Sequence, residues 1–128
     1  MKTQLRTQRE NIIFNLYQKD IFESVGQAFE SSLEEDQLKI FSDVLKNIDQ
    51  INDMIESQLF NYTLNRLSFV DRAIIRFATY EFMFTETPVQ VVIDEAIEIT
   101  KEYTNLDDEK QHKFTNKLLD NIAKSVRE

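Results

Sequence analysis

The apolar positions of this chain recur at three- and four-residue steps almost from end to end. That spacing lays one hydrophobic stripe along an α-helix. Between about residues 6 and 22 the stripe is Ile13, Leu16, Tyr17 and Ile21. The pattern breaks near Gly26, Ser31 and Ser32. Ser32 followed by Glu35 has the form of a capping box and predicts the next helix start. Leu38, Phe41, Leu45, Ile48, Ile51 and Ile55 then continue to Leu59, as one long helix or two consecutive ones, with a break expected at Lys46 and Asn47. Ser68 and Asp71 form a second capping box. It opens a central helix in which Val70, Ile74 and Phe77 are joined by Ala73, Tyr80 and Phe84. Thr87, Pro88 and Gln90 suit the N-cap, first and third positions of a further helix, whose stripe is Val92, Ala96, Ile99 and Tyr103. A polar loop is expected at 105–109. Phe114, Leu118, Ile122 and Val126 mark a last helix. The pattern therefore predicts an all-α fold of six or seven helices and no strands.

Composition narrows this further. One Gly and one Pro in 128 residues leave too few turn residues for a β-sandwich or an α/β fold. An apolar content of 41%, including 10 Phe, suffices for one substantial core, so residues 1–128 are read as a single domain. With no cysteine there is neither a disulfide nor thiol chemistry. No apolar run reaches membrane-spanning length and the first residues carry no signal-peptide core. The expectation is a soluble, cytoplasmic protein with no membrane contact.

The net charge of −8 argues at first against nucleic acid, but its distribution changes the picture. Residues 1–9 contain Lys2, Arg6 and Arg9 and no acid. Residues 110–127 contain Lys110, Lys113, Lys117, Lys124 and Arg127 against Asp120 alone. The stretch between holds 7 basic and 21 acidic residues. The plain reading is a solvated acidic surface with two ordinary basic ends. The sharper one is a division of labour, in which basic ends meet a polyanion and the acidic body meets a basic protein.

Catalytic and metal chemistry find little support. No glycine-rich phosphate loop is present, and nothing organises Ser, His and Asp into a triad. Glu109 and His112 have the Glu-x-x-His spacing of di-iron bundles, but such sites need a second pair and this chain has one histidine. Neither an enzyme, nor a metal site, nor a cofactor is expected.

Several motifs coincide in order: Arg6-x-x-Arg9-Glu10 with Leu16-Tyr17; Ile55-x-x-x-Leu59, Tyr62 and Arg66-Leu67; Val70-Asp71-Arg72-Ala73-Ile74-Ile75-Arg76 with Tyr80-Glu81; Pro88 with Val92-Ile93-Asp94-Glu95-Ala96-Ile97-Glu98; and Lys113-Phe114-Thr115-Asn116-Lys117-Leu118-Leu119-Asp120. Together they resemble the NusB family of bacterial transcription antitermination factors. The likeness is strong from residue 64 to 120 and weak from 21 to 52. It implies a compact fold of two antiparallel helical bundles. It also implies a non-catalytic protein that binds boxA-type leader RNA with the ribosomal protein NusE. That complex acts within the transcription elongation complex, chiefly on ribosomal RNA operons.

The resemblance assigns residues unevenly. Arg6 and Arg9 match an arginine-rich N-terminus that contacts RNA, while Thr7 and Gln8 stand where further basic residues are common. Tyr17 matches a tyrosine near the RNA path. Phe114 and Asn116 match a Phe-x-Asn-Gly pattern whose glycine is Lys117 here, and Tyr62 stands where tryptophan is frequent. The expected RNA surface is Lys2, Arg6, Arg9, Tyr17, Lys110, Lys113 and Phe114. Asp71 matches an acidic position facing basic residues of NusE, and Glu81, ten residues on, is expected near the same helix face, so the two acids form a docking ridge. Each residue also has a plainer role. Asp71 caps its own helix, the N-terminal cations are a solvated helix start, and Tyr17 and Phe114 belong to the core. Asn116 bonds backbone near the start of the last helix, and Arg72 and Arg76 pair with acids on neighbouring helices. The competing reading of the whole is a helical protein-interaction module with weak or no RNA binding. An accessory domain like those preceding the catalytic part of some ribosomal RNA cytosine methyltransferases ranks below both.

Overall fold

The computed structural model describes residues 3–60, 63–103 and 109–128, leaving Lys2, Tyr62 and most of the polar segment 105–109 outside the described residues. Among the described residues there are six α-helices, a single-turn 3₁₀ helix and no strand. The helices are α1 (Gln4–Ser24), α2 (Glu35–Lys46), α3 (Ile48–Ser57), α4 (Phe69–Phe84), α5 (Val89–Tyr103) and α6 (Glu109–Arg127); the 3₁₀ turn is Leu64–Arg66. No helix among them is long and apolar enough to cross a membrane.

Local chemistry sets most helix ends. The Thr3 side chain accepts from the Arg6 amide at 3.0 Å and starts α1. Gly26, at φ +72°, ends it. The Gly26 and Gln27 amides bond the carbonyls of Glu23 and Phe22, a left-handed closure that disfavours any residue with a Cβ. Asn47 closes α2 and opens α3, and its side-chain amide bonds the Asp43 carbonyl at 2.8 Å. This is the break expected at Lys46 and Asn47. The expected Ser32 cap is not formed. Glu34 occupies the cap position without a side-chain bond, while Ser31 bonds Asn15 and the Leu33 amide. Helix α5 starts one residue later than the sequence pattern predicts, and the Val92 amide donates back to the Pro88 carbonyl at 3.1 Å.

Helix α4 is the hub. It packs against α1, α3, α5 and α6, while α1 also packs on α2 and α5 on α6. An N-terminal group (α1–α3) and a C-terminal pair (α5, α6) thus share α4. Ala73, Ile74, Ile75, Phe77, Ala78 and Phe82 of α4 lie in one apolar cluster with Ile12, Ile13, Leu16, Ile51, Ile55, Val92, Ile99, Leu119 and Ile122. Polar ties pin the packing. Arg76 bonds Asp20 of α1 at 2.7 Å and Asn52 of α3 at 2.9 Å, the structural role expected of it. Arg72 instead stacks over the Phe69 ring, 4.3 Å from its centroid.

Arg127 closes the far end of α4. Its guanidinium donates to the carbonyls of Glu81, Phe82, Thr85 and Thr87 at 2.7–3.1 Å. A helix C-terminus leaves carbonyls unpaired and carries partial negative charge, so a planar cation with five N–H donors suits it. Arg127→Ala is expected to cost about 2 kcal/mol of stability in urea denaturation. Arg127→Lys should recover only part of that, because a single ammonium cannot reproduce the fork.

Candidate nucleic-acid interface

The cations expected at the two ends of the chain have different fates. Arg6 and Arg9 sit one turn apart at the start of α1 and face inward. Arg9 clasps Glu81 of α4 through two bonds, Nε to Oε1 at 2.8 Å and Nη2 to Oε2 at 3.0 Å. Its Nη1 lies 3.7 Å from Glu95 of α5. Arg6 directs Nε and Nη2 at the other Glu95 oxygen. The result is a four-residue ladder joining α1, α4 and α5. The hydrogen bond with Glu81 raises the Arg9 guanidinium above its ordinary range; burial opposes that rise, and the charges of Glu81 and Glu95 add to it. The N-terminal arginines are therefore neither a solvated helix start nor an open cationic surface.

Glu81 is consequently not part of an exposed acidic ridge. It is only 6% exposed and both its oxygens are taken by Arg9. The ten-residue spacing of Asp71 and Glu81 does not put the two acids on one helix face. Ten residues at about 100° each end roughly 80° away from the starting direction, so Asp71 and Glu81 point to different neighbours. Glu81 faces α1 and α5.

Asp71 faces α6. Ser68 caps α4 by accepting from the Asp71 amide at 3.1 Å, and the Ser68 hydroxyl donates to Asp71 Oδ2 at 2.9 Å. Ser68 thus caps the helix as read from the sequence, and Asp71 supports it by accepting from the Ser68 hydroxyl. Asp71, itself only 8% exposed, differs from Glu81 in lining an open cavity of about 440 Å³, with Arg66, Leu67, Ser68, Lys110, Gln111 and Phe114. The 3₁₀ turn supplies Arg66, the start of α4 supplies Asp71, and the first turns of α6 supply Lys110, Gln111 and Phe114.

On α6, Lys110, Lys113, Phe114 and Lys117 fall within one 100° arc at ~3.6 residues per turn. The three lysines are exposed, and Phe114 is half-buried and lines the cavity. Arg66, also exposed, lines the same cavity from the 3₁₀ turn. An array of cations flanking an aromatic ring and an open cavity is suited to a flexible polyanion with stackable bases. Of the sequence-derived candidates, the structure brings Lys110, Phe114 and Asp71 together in the cavity, with Lys113 beside them. Tyr17 is half-buried on α1, packs against the core and does not line the cavity. Asn116 is exposed two turns into α6, so it is not at that helix's start.

Sequence patterns do not single out two of the residues that matter. Arg66 stands out only as part of a motif, although a cation two residues before a helix cap is a usable hint. Arg127 reads as one of several basic C-terminal residues, and no local pattern marks its partners some 40–46 residues away.

Comparison with known proteins agrees with this architecture. The model of the NusB family matches residues 4–124. The transcription antitermination protein NusB of Bacillus subtilis (strain 168) is 38% identical over 130 residues, covering 96% of this chain and 97% of its own. That of Fusobacterium nucleatum is 39% identical over 115 residues, covering 89% and 72%. The structure of T. maritima NusB superposes with a TM-score of 0.79 at 35% identity, covering 97% of this chain and 93% of that one. A chain from the crystal structure of the antitermination factors NusB and NusE in complex with dsRNA gives a TM-score of 0.75 at 24% identity, with coverage of 98% and 99%. That last likeness speaks to the fold alone. A family match across nearly the whole chain, and relatives of such identity and coverage, establish that this chain belongs to the NusB family.

Proposed function

We propose that this protein is a transcription antitermination factor. It binds boxA-type leader RNA together with the ribosomal protein NusE and acts in the cytoplasm within the transcription elongation complex, supporting ribosomal RNA operons. It works by binding, without catalysis or a cofactor. The observation that carries this reading is the clustering of Arg66, Lys110, Phe114 and Asp71 around one open cavity, in a chain of the NusB family. Lys110, Lys113 and Arg66 meet phosphates, and the Phe114 ring stacks on a base. Asp71 accepts a basic side chain of the protein partner, so RNA and protein meet at the same cavity. The acidic stretch between the chain ends steers that basic partner.

Gel-shift of single-stranded boxA RNA with this protein, with NusE and with both tests the proposal. The expected result is a shift with both proteins that neither gives at the same concentration. No shift at moderate salt with both present overturns it. Engagement of Arg6 and Arg9 by Glu95 and Glu81 favours the second reading, a protein-interaction module with weak RNA binding. That reading predicts NusE capture without RNA in the complex.

Two variants separate the two roles of Asp71. Ser68→Ala removes the cap and is expected to cost about 1 kcal/mol while leaving NusE capture intact. Asp71→Arg should abolish capture in a pull-down while far-UV circular dichroism stays helical. Capture at full strength by Asp71→Arg removes Asp71 from the partner site.

A further inference from the structure

Of the three ion pairs in the ladder at the start of α1, two differ in character. The Arg9–Glu81 pair is bidentate, with side-chain exposures of 13% and 8%, and removing either member strands a buried charge. The Arg6–Glu95 pair is more open, at 20% and 19%. Glu95 reaches both arginines, one through each oxygen. A carboxylate held between two guanidinium groups occupies the place a phosphate would take, since both are anions with paired acceptor oxygens that match the same fork.

We infer that Glu95 is an intramolecular competitor for phosphate at Arg6. Arg6 is the releasable ligand, and Arg9, fixed by Glu81, is the anchor that holds α1 in place. In the resting protein the Glu95 carboxylate satisfies Arg6. When an RNA backbone arrives, a phosphate displaces that carboxylate and Glu95 turns to solvent, which its partial exposure allows. Arg6 exchanges its partner, whereas Arg9 gives up only its 3.7 Å pairing with Glu95 and keeps both bonds to Glu81, because leaving Glu81 unpaired in its buried site is the costlier exchange. The N-terminal turn thus contributes one phosphate contact rather than two, and Glu95 sets its strength. This inference rests on the RNA-binding reading above.

Glu95→Gln keeps the shape of the side chain and removes its charge. It is expected to tighten binding of single-stranded boxA RNA about two- to fivefold, the weight of a partly exposed ion pair. Glu98→Gln, an exposed acid on the same helix, measures the general effect of removing one negative charge. Adding Arg6→Ala to Glu95→Gln should abolish the gain. A gain no larger than that of Glu98→Gln, or one that survives Arg6→Ala, overturns the inference while leaving RNA binding itself intact. Failure of the wild-type protein to bind RNA counts against the functional reading instead. A second readout does not need RNA: titration with inorganic pyrophosphate, followed through the arginine Nε–H resonances by NMR. The Arg6 signal should move clearly more than the Arg9 signal, whose Nε stays bonded to Glu81. Equal movement of both, or none at Arg6, overturns the assignment.

Discussion

Arg9→Ala is expected to lower the stability of the fold by about 3 kcal/mol, the cost of removing one partner from a buried ion pair. Glu81 lies on the hub helix, 6% exposed, and both its oxygens are bonded by Arg9. Without Arg9 that carboxylate must either stay charged and unpaired or take up a proton, and both weaken the native state. The same side chain joins α1 to α4, whose contact buries Ile12, Ile13, Leu16, Ile74 and Phe77. Thermal unfolding followed by circular dichroism should show a midpoint about 10 °C lower. Arg9→Lys should restore little, because an ammonium cannot bond both carboxylate oxygens in the fixed geometry of a guanidinium. A midpoint within about 2–3 °C of wild type, a cost of 1 kcal/mol or less, would mean that the pair is solvated in solution and Glu81 is available after all.

Phe114→Ala is expected to weaken RNA binding by about 1–3 kcal/mol, the worth of one base stacked on an aromatic ring. Phe114 is half-buried and lines the cavity together with Arg66 and Lys110, whose cations can hold the flanking phosphates. The ring also packs against the core, so the alanine variant carries a stability loss of its own. Phe114→Leu separates the two effects. It keeps the apolar packing and should keep the thermal midpoint near wild type, yet lose most of the RNA affinity that Phe114→Ala loses. Full affinity in Phe114→Leu would make the ring a core residue, the plainer role that its apolar spacing on α6 allows.

How much of the molecule is legible in its sequence depends on the range of the interaction. The helices, the break at Asn47 and the Ser68 cap are readable because each depends on residues within one or two turns. The Ser32 cap fails for a local reason. Ser31 turns its hydroxyl to Asn15 of α1, so the chain enters α2 at Glu34 without a side-chain cap. The lysine stripe on α6 is readable from spacing and charge. The fates of Arg6 and Arg9 are not, because their partners lie 89 and 72 residues away and nothing local marks them. The expected ridge of Asp71 and Glu81 fails on angle, since ten residues do not return a helix to the same face. Asp71 belongs instead with Lys110 and Phe114 of α6. Family likeness outlines the chemistry, and the engagement of Arg6 and Arg9 by Glu95 and Glu81 supports the proposal that most of the phosphate contacts lie on α6 rather than at the N-terminus.

Salt dependence of RNA affinity tests that proposal most directly. Removing one phosphate-binding cation should flatten the log–log slope for single-stranded RNA by about 0.7. Lys110→Ala/Lys113→Ala is expected to flatten it by about 1.4. Arg9→Ala, measured at a temperature where circular dichroism shows it folded, should leave the slope unchanged. A slope that flattens in Arg9→Ala and is unaltered in the lysine pair would put the RNA on the N-terminal arginines and contradict the assignment of α6 as the phosphate-binding face.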